Sequence, residues 1–414
     1  MHMTISLRLS PTVRGLLILY STTLLSGLVW AMIIPTIPVL VTTFDISMGA
    51  AAQIVTAYAV GKFVGMPISG VVVDRMGTRA AVVSGPAAAG IAALLAAATP
   101  WFSALLATVL VMGVGDSVWT MGREVAGVDF TRLEQRGRVL SGFHGIHHIG
   151  IALGPLIGGM LTERVDFRAV FVACAACSAA AVLLGFSTHN AHSPQTLQKA
   201  PEVVKDRGIT QAHQWLRGLA DLFKEIQPNL RATYAVIVFA TLTSFIYRIT
   251  IQSMLPLYAG SQLGFTPTEV GLLFSISGVF VFVMILPAGF IIDKVGRKWA
   301  TVPSTGIPAL TFLFIPFSDS FFQLALLVSL TNMANGLSLG SLATSTYDVV
   351  PPNAHGRLQA ARRTLAELGG VGASLLGGLL ANAFNPGVPF LAYAPLLVVS
   401  ALLLALVGRE TLVR

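Results

Sequence analysis

The chain has 414 residues, 54% of them hydrophobic and only 11% charged, and its mean hydropathy is +0.77. A water-soluble domain carries about a quarter charged residues, so this composition excludes an ordinary soluble globular protein. The net charge of +8 lies mostly in loops and at helix ends, where it acts as a membrane-insertion signal and gives no reason to expect a nucleic-acid partner.

Twelve apolar runs have about the length that crosses a bilayer. They lie near residues 14–42, 50–73, 79–99, 102–128, 140–162, 167–188, 230–258, 267–292, 299–318, 321–347, 359–382 and 387–408. They predict an all-α integral membrane protein with an N-terminal six-helix bundle over 1–188 and a C-terminal one over 230–414. The first run is too long for a signal-peptide core and has no small-residue cleavage site before polar sequence, so it is read as helix 1. Between the bundles, 189–229 is predicted as a cytoplasmic linker. Its second part places Trp215, Leu216, Leu219, Leu222, Phe223 and Ile226 at helical spacing, the pattern of an amphipathic helix in the membrane interface.

Orientation follows from the basic residues. Arg8, Arg14, Arg75, Arg79, Arg132, Arg136, Arg138, Lys294, Arg297, Lys298, Arg357, Arg362, Arg363 and Arg409 all fall at ends or loops on one side, and Arg164 and Arg168 on the other. The positive-inside rule puts both termini and the linker in the cytoplasm, so the chain is expected in the cytoplasmic (inner) membrane, as a monomer.

Along the chain, polar groups interrupt the runs at few places. Helix 1 carries Trp30. Helix 2 carries Tyr58 and, one turn on, Lys62, which lies too deep to snorkel and needs an anion from Asp, Glu or a substrate. The helix closes on Gly70-Val71-Val72-Val73-Asp74-Arg75-Met76-Gly77-Thr78-Arg79. Helix 4 places Asp116, Thr120 and Arg123 on one face, with Trp119 and Glu124 beside them and Asp129 at its end. Asp116 and Arg123 can pair with each other across two turns or serve a cavity. Arg123 and Glu124 can equally belong to a gate around Asp129.

Helix 5 holds His144, His147 and His148, as core residues or as proton carriers, followed by Gly150, Gly154, Pro155, Gly158 and Gly159. Cys174 and Cys177 in helix 6 lack any thioredoxin-like or zinc context and read as small packing residues. Helix 7 carries Arg248, and helix 8 closes on Gly289-Phe290-Ile291-Ile292-Asp293-Lys294-Val295-Gly296-Arg297-Lys298. Asp348 ends helix 10, and Glu367 lies in helix 11.

The two ten-residue segments are 219 positions apart. The same shift carries Asp129 onto Asp348, Gly137-Arg138 onto Gly356-Arg357, His148 onto Glu367 and Gly158-Gly159 onto Gly377-Gly378. A single offset held over so much chain is an internal duplication, and two such halves in a membrane protein mark a transporter that rocks around a site between them. In each motif the second glycine permits the tight turn between helices. The carboxylate can face a helix N-terminus, and the basic residues can reach the acid at a neighbouring helix end, Asp129 or Asp348. Bonds of this kind form in one conformation and break in another.

Twelve helices in two halves, with Gly-x-x-x-Asp-Arg-x-Gly-x-Arg after helix 2 and a relaxed copy after helix 8, resemble the major facilitator superfamily over nearly the whole chain. Gly150, Gly154, Pro155, Gly158 and Gly159 resemble the antiporter signature of its drug–proton exporters. Glycines four residues apart form one smooth groove for a neighbouring helix, and Pro155 bends the helix there. The second half keeps only a small-residue version, Gly369, Ala373, Gly377 and Gly378. Two departures stand out: Val109 occupies the place where such exporters carry an arginine four residues before Gly113-Val114-Gly115, and helix 1 has no acidic residue.

The resemblance implies that helices 1, 4, 7 and 10 line a central cavity, which brings Asp116, Arg123 and Arg248 close to it. It also implies alternating access. The resulting expectation is a proton-coupled antiporter exporting small amphipathic organic compounds. Asp116, Glu367 and His148 are its candidate proton carriers; Lys62, Arg123, Arg248, Tyr58, Trp119 and Trp30 are its candidate cavity residues. The embedded cations favour a substrate with an anionic or zwitterionic head. The rival is organic-anion uptake or exchange through Lys62 and Arg248 without obligatory protons. No cofactor, metal or catalytic constellation is expected, so the chain does not read as an enzyme, and two gating motifs would have little use in a receptor.

Overall fold

The computed structural model describes residues 11–129, 131, 136–188, 223, 225–351 and 354–411. Among these residues, twelve helices are long and apolar enough to cross a membrane. In chain order they are α1 (Arg14–Thr43), α2 (Met48–Met76), α3 (Thr78–Ala98), α4 (Phe102–Asp129), α5 (Val139–Arg164) and α6 (Phe167–Phe186) in the first half. The second half has α7 (Pro228–Gln262), α8 (Pro267–Val295), α9 (Arg297–Phe317), α10 (Phe321–Val349), α11 (His355–Ala383) and α12 (Val388–Leu406). All twelve predicted runs are present. The predicted linker and its interfacial helix lie outside the described residues up to 222. Phe223 and Ile226, at its end, pack against Tyr234 of α7 and the ends of α10 and α11.

Local chemistry sets the helix boundaries. Ser47 accepts a hydrogen bond from the Ala50 amide to start α2, Ser320 does the same with Gln323 for α10, and Thr266 with Glu269 forms a reciprocal capping box at α8. Gly77 and Gly296 separate α2 from α3 and α8 from α9 at φ +86° and +149°, values that an L side chain adopts only with strain. Both motif glycines therefore do what the repeated spacing predicts.

The helices are apolar nearly all round, as a bilayer requires. Large residues such as Ile91, Leu183 and Leu379 face outward, whereas small ones such as Ala51, Ala81, Ala89 and Ala93 are fully buried where helices meet. Glycines set the closest crossings. A methyl group built on Gly113 of α4 would lie 3.1 Å from the Gly61 Cα of α2, and one on Gly115 would lie 2.7 Å from the Gly85 carbonyl oxygen of α3. In α5, Gly150, Gly154 and Gly158 receive the α1 backbone between Leu24 and Met32, while Gly159 and Pro155 meet Pro267 and Gly271 of α8. The predicted groove in helix 5 is thus filled by α1 on one side and by α8 on the other, and α5 continues through Pro155.

The halves meet at the end opposite the repeated motifs. There the Gly49 amide donates to Asn382 Oδ1 (2.7 Å) and Asn382 Nδ2 to Ser47 Oγ (3.2 Å). The Thr268 amide donates to Glu163 Oε2 (3.0 Å), and the Leu156 amide to Ser275 Oγ (3.1 Å). A core of Ile34, Ile37, Ala51 and Val55 from the first half with Ile251, Met254, Leu255 and Leu257 from the second closes the same end.

Candidate functional site

The tight α2–α4 crossing at Gly61 and Gly113 brings Lys62 against Asp116. Lys62 Nζ lies 2.8 Å from Asp116 Oδ2, and Ser26 of α1 donates to Asp116 Oδ1 at 2.7 Å. The Asp116 side chain is 6% exposed and that of Lys62 38%, so one partner is sealed among helices and the other is only partly covered by protein. The anion that the depth of Lys62 demands is therefore supplied by the protein. Tyr58 extends the cluster: its ring lies 5.9 Å from Lys62 Nζ and stacks on Trp30 of α1 at 3.9 Å and 15°.

Asp116 does not pair with Arg123, as the helix spacing had allowed. Arg123 is buried, donates to Thr120 Oγ1 at 3.1 Å and lies 5.8 Å from the Trp119 ring. Among the described residues, its Nε and Nη1 have no hydrogen-bond partner, and neither do Trp119 Nε1 and His147 Nδ1. Trp119 is completely buried, so in this conformation it offers no surface to a substrate.

A cavity of about 110 Å³ lies between the halves at mid-membrane depth. Ile34 of α1 and His148, Ile151 and Pro155 of α5 form one wall; Tyr247, Arg248, Ile251 and Gln252 of α7, Phe274 of α8 and Asn332 and Asn335 of α10 form the other. Two residues that charge singled out in the sequence, Arg248 and His148, are brought together here. Arg248 donates through Nη2 to Ser338 Oγ and sits 5.6 Å from the Phe245 ring. Lys62, Asp116, Arg123, Tyr58, Trp119 and Trp30 are absent from this lining. Glu367 is also elsewhere, with Arg363 of its own helix at 3.7 Å.

In the second half, Arg297 of the repeated motif reaches the acid at the end of α10. Arg297 bonds Asp348 Oδ2 through Nε (3.0 Å) and Asp293 Oδ1 through Nη1 (3.1 Å). Glu410, beyond α12, accepts from the Arg297 and Lys298 amides at 2.8 and 3.1 Å, and Thr411 Oγ1 donates to Asp348 Oδ2 at 2.9 Å. Thr78 stands at the position equivalent to Arg297, so the first half has no guanidinium there to build the same ring. Asp74 and Arg75 are exposed, Gly70 and Gly289 have open space around them, and Asp129 lies at the exposed end of α4. One contact is shared by both halves: Arg79 donates to the Phe186 carbonyl at 2.9 Å and Lys298 to the Ala405 carbonyl at 2.7 Å, acceptors that are themselves 219 positions apart.

Sequence reasoning missed Ser26, Tyr247, Gln252, Asn332 and Asn335. Asn335 was within reach, because it is the residue 219 positions after Asp116. Ser26 and Tyr247 are ordinary helix residues until packing shows what they face.

The comparisons with known proteins agree with this architecture. The sequence profile of the Major Facilitator Superfamily matches residues 19–247 and, again, 237–413. The chain is 22% identical over 381 residues to the class C tetracycline resistance protein of Escherichia coli, covering 89% of each. It is also 22% identical to multidrug resistance protein 1 of Bacillus subtilis, covering 84% of this chain and 85% of that one. Among solved structures, the inward-open xylose transporter XylE of E. coli superposes with a TM-score of 0.73 at 15% identity, over 96% of this chain and 97% of that one. A peptide transporter bound to sulfate gives 0.76 at 14% identity, over 95% and 93%. With twelve membrane helices in two halves and a profile match along nearly all of its length, the chain belongs to the major facilitator superfamily of transporters.

Proposed function

We propose that this transporter is a proton-coupled antiporter that exports small amphipathic organic compounds by alternating access. The observation that carries the reading is the Lys62–Asp116 pair. A carboxylate this deep in a membrane is costly unless it is paired or protonated, and here its partner is an ammonium less buried than itself. A proton arriving at Asp116 neutralises the carboxylate, breaks the ion pair and frees Lys62. Ser26 ties Asp116 to α1, and Ile34 of the same helix lines the cavity, so α1 is the element through which discharge of the pair changes the substrate site. Proton and substrate then act at separate places linked by one helix.

The relatives named for tetracycline and multidrug resistance support export of amphipathic molecules. The hydrogen bonds and apolar core at the end opposite the motifs support a state closed to the outside, with the basic motif end and both termini in the cytoplasm of an inner-membrane protein. The test uses energised everted vesicles carrying the protein, with accumulation of a labelled amphiphile followed before and after an ionophore removes the pH gradient. Proton coupling predicts that accumulation stops. Accumulation that continues unchanged would contradict it and favour anion exchange.

A further inference from the structure

We propose that the cavity between the halves takes a small aromatic organic monoanion that also carries a hydrogen-bond donor, with Arg248 holding the carboxylate and Asn335 accepting from the donor. The proposal rests on the reading of this cavity as the substrate site and assigns its substrate class.

Charge sets the sign. Of the cations that charge singled out in the sequence, Lys62 is neutralised by Asp116 and Arg123 is buried away from the cavity. Arg248 lines it, and among the described residues no carboxylate lies within salt-bridge distance of its guanidinium. No Asp or Glu is among the lining residues, and the other titratable side chains there are His148 and Tyr247. A guanidinium at membrane depth without an anion is expensive, and its planar fork suits a carboxylate.

Unsatisfied groups set the pattern. Arg248 Nε, the Tyr247 hydroxyl and Asn335 Oδ1 each belong to a lining residue, and each is buried without a hydrogen-bond partner among the described residues. A buried polar atom left in this way costs about 1–3 kcal/mol, which a ligand bearing complementary groups removes. Arg248 Nε donates and suits a carboxylate oxygen. Asn335 Oδ1 accepts, so a ligand that brings an N–H or O–H of its own would satisfy it. The link is local, since Arg248 donates to Ser338 Oγ and Ser338 in turn donates to the Asn335 carbonyl.

Shape sets the body. Ile34, Ile151, Pro155, Ile251, Phe274 and Val281 make the rest of the wall. The volume of about 110 Å³ is below that of the ~150 Å³ apolar cavity known to admit benzene, which limits the body to a single ring.

The test is direct binding to the purified full-length protein in detergent by titration calorimetry, with four compounds of one shape. These are 3-hydroxybenzoate, benzoate (no hydroxyl donor), 3-hydroxybenzamide (no charge) and 3-hydroxybenzylamine (reversed charge). The wild type binds 3-hydroxybenzoate about tenfold or more tightly than the amide and the amine, the loss of one hydrogen bond to a charged group. Arg248→Gln removes that preference, Arg248→Lys keeps most of it, and Asn335→Ala removes only the preference for 3-hydroxybenzoate over benzoate. Each variant is checked for a monodisperse elution profile and an unchanged melting transition.

Equal or tighter binding of the amide or the amine overturns the proposal. So does unchanged binding of the acid by folded Arg248→Gln, or the absence of binding by all four compounds. Equal binding of benzoate and 3-hydroxybenzoate removes the role of Asn335. If the acid binds in this pattern yet dissipates no pH gradient in vesicles, proton exchange fails and the subsite stands. If only the amine dissipates the gradient, the subsite fails and proton exchange stands.

Discussion

Lys62 and Asp116 form a 2.8 Å ion pair between α2 and α4 whose two members are unequally buried, with side chains 38% and 6% exposed. Removing either partner therefore has unequal consequences. Lys62→Gln leaves a sealed carboxylate without its cation, a change that costs about 3–5 kcal/mol when the charge stays buried. Asp116→Asn leaves an ammonium that is less buried than the carboxylate. In thermal unfolding of the detergent-solubilised protein, Lys62→Gln lowers the melting temperature more than Asp116→Asn does. The double variant falls less than the sum of the two, because the charge left behind is gone. Equal effects of the two single changes would mean that the pair is not buried as described.

The Arg297 ring makes a second asymmetry testable. The Asp293 side chain is 71% exposed, and such a pair is worth about 0.2–1 kcal/mol. Asp348 is 26% exposed and also receives Thr411. Asp348→Asn consequently reduces the initial transport rate severalfold, whereas Asp293→Asn stays within about twofold of wild type if its contribution is that of an exposed pair. Initial-rate measurements at matched expression decide between them.

The end opposite the motifs must open if the site is to face both sides. Ser47 and Asn382 touch across the halves at 3.2 Å, so paired cysteines at these positions, once oxidised, hold that end shut. The native Cys174 and Cys177 are free; Cys174 Sγ donates to the Val29 carbonyl at 3.2 Å, a bond that serine can also make. The cysteine-free background keeps near wild-type transport, oxidation of Ser47→Cys/Asn382→Cys abolishes it, and a reductant restores it. Transport by the oxidised, demonstrably cross-linked protein would argue against movement at this end.

Helix number, the two halves and the motif turns were legible because hydropathy and a fixed offset report them directly: Gly77 and Gly296 do at φ +86° and +149° what only glycine does without strain. The Arg297–Asp348 contact was legible for the same reason. The partner of Asp116 was not. Sequence spacing on one helix pointed to Arg123 in the next turns, but the α2–α4 crossing at Gly61 and Gly113 decides the matter by bringing in Lys62 from 54 positions away. The cavity was half legible: charge marked Arg248 and His148, whereas Tyr247 and Asn332 look like ordinary helix residues until the second half is folded against the first. Trp119 shows the limit of reading a helix face, since its backbone meets Gly85 of α3 and its side chain is completely buried.

Whether Asp116 carries the exchanged proton is decided by one recording. Everted vesicles with an acid interior are monitored for the pH gradient while cationic, anionic and zwitterionic amphiphiles are added, for wild type and for Asp116→Asn at equal folded amounts. The account predicts a compound that dissipates the gradient in wild type and leaves it intact in Asp116→Asn. Dissipation of equal size in both proteins would contradict it.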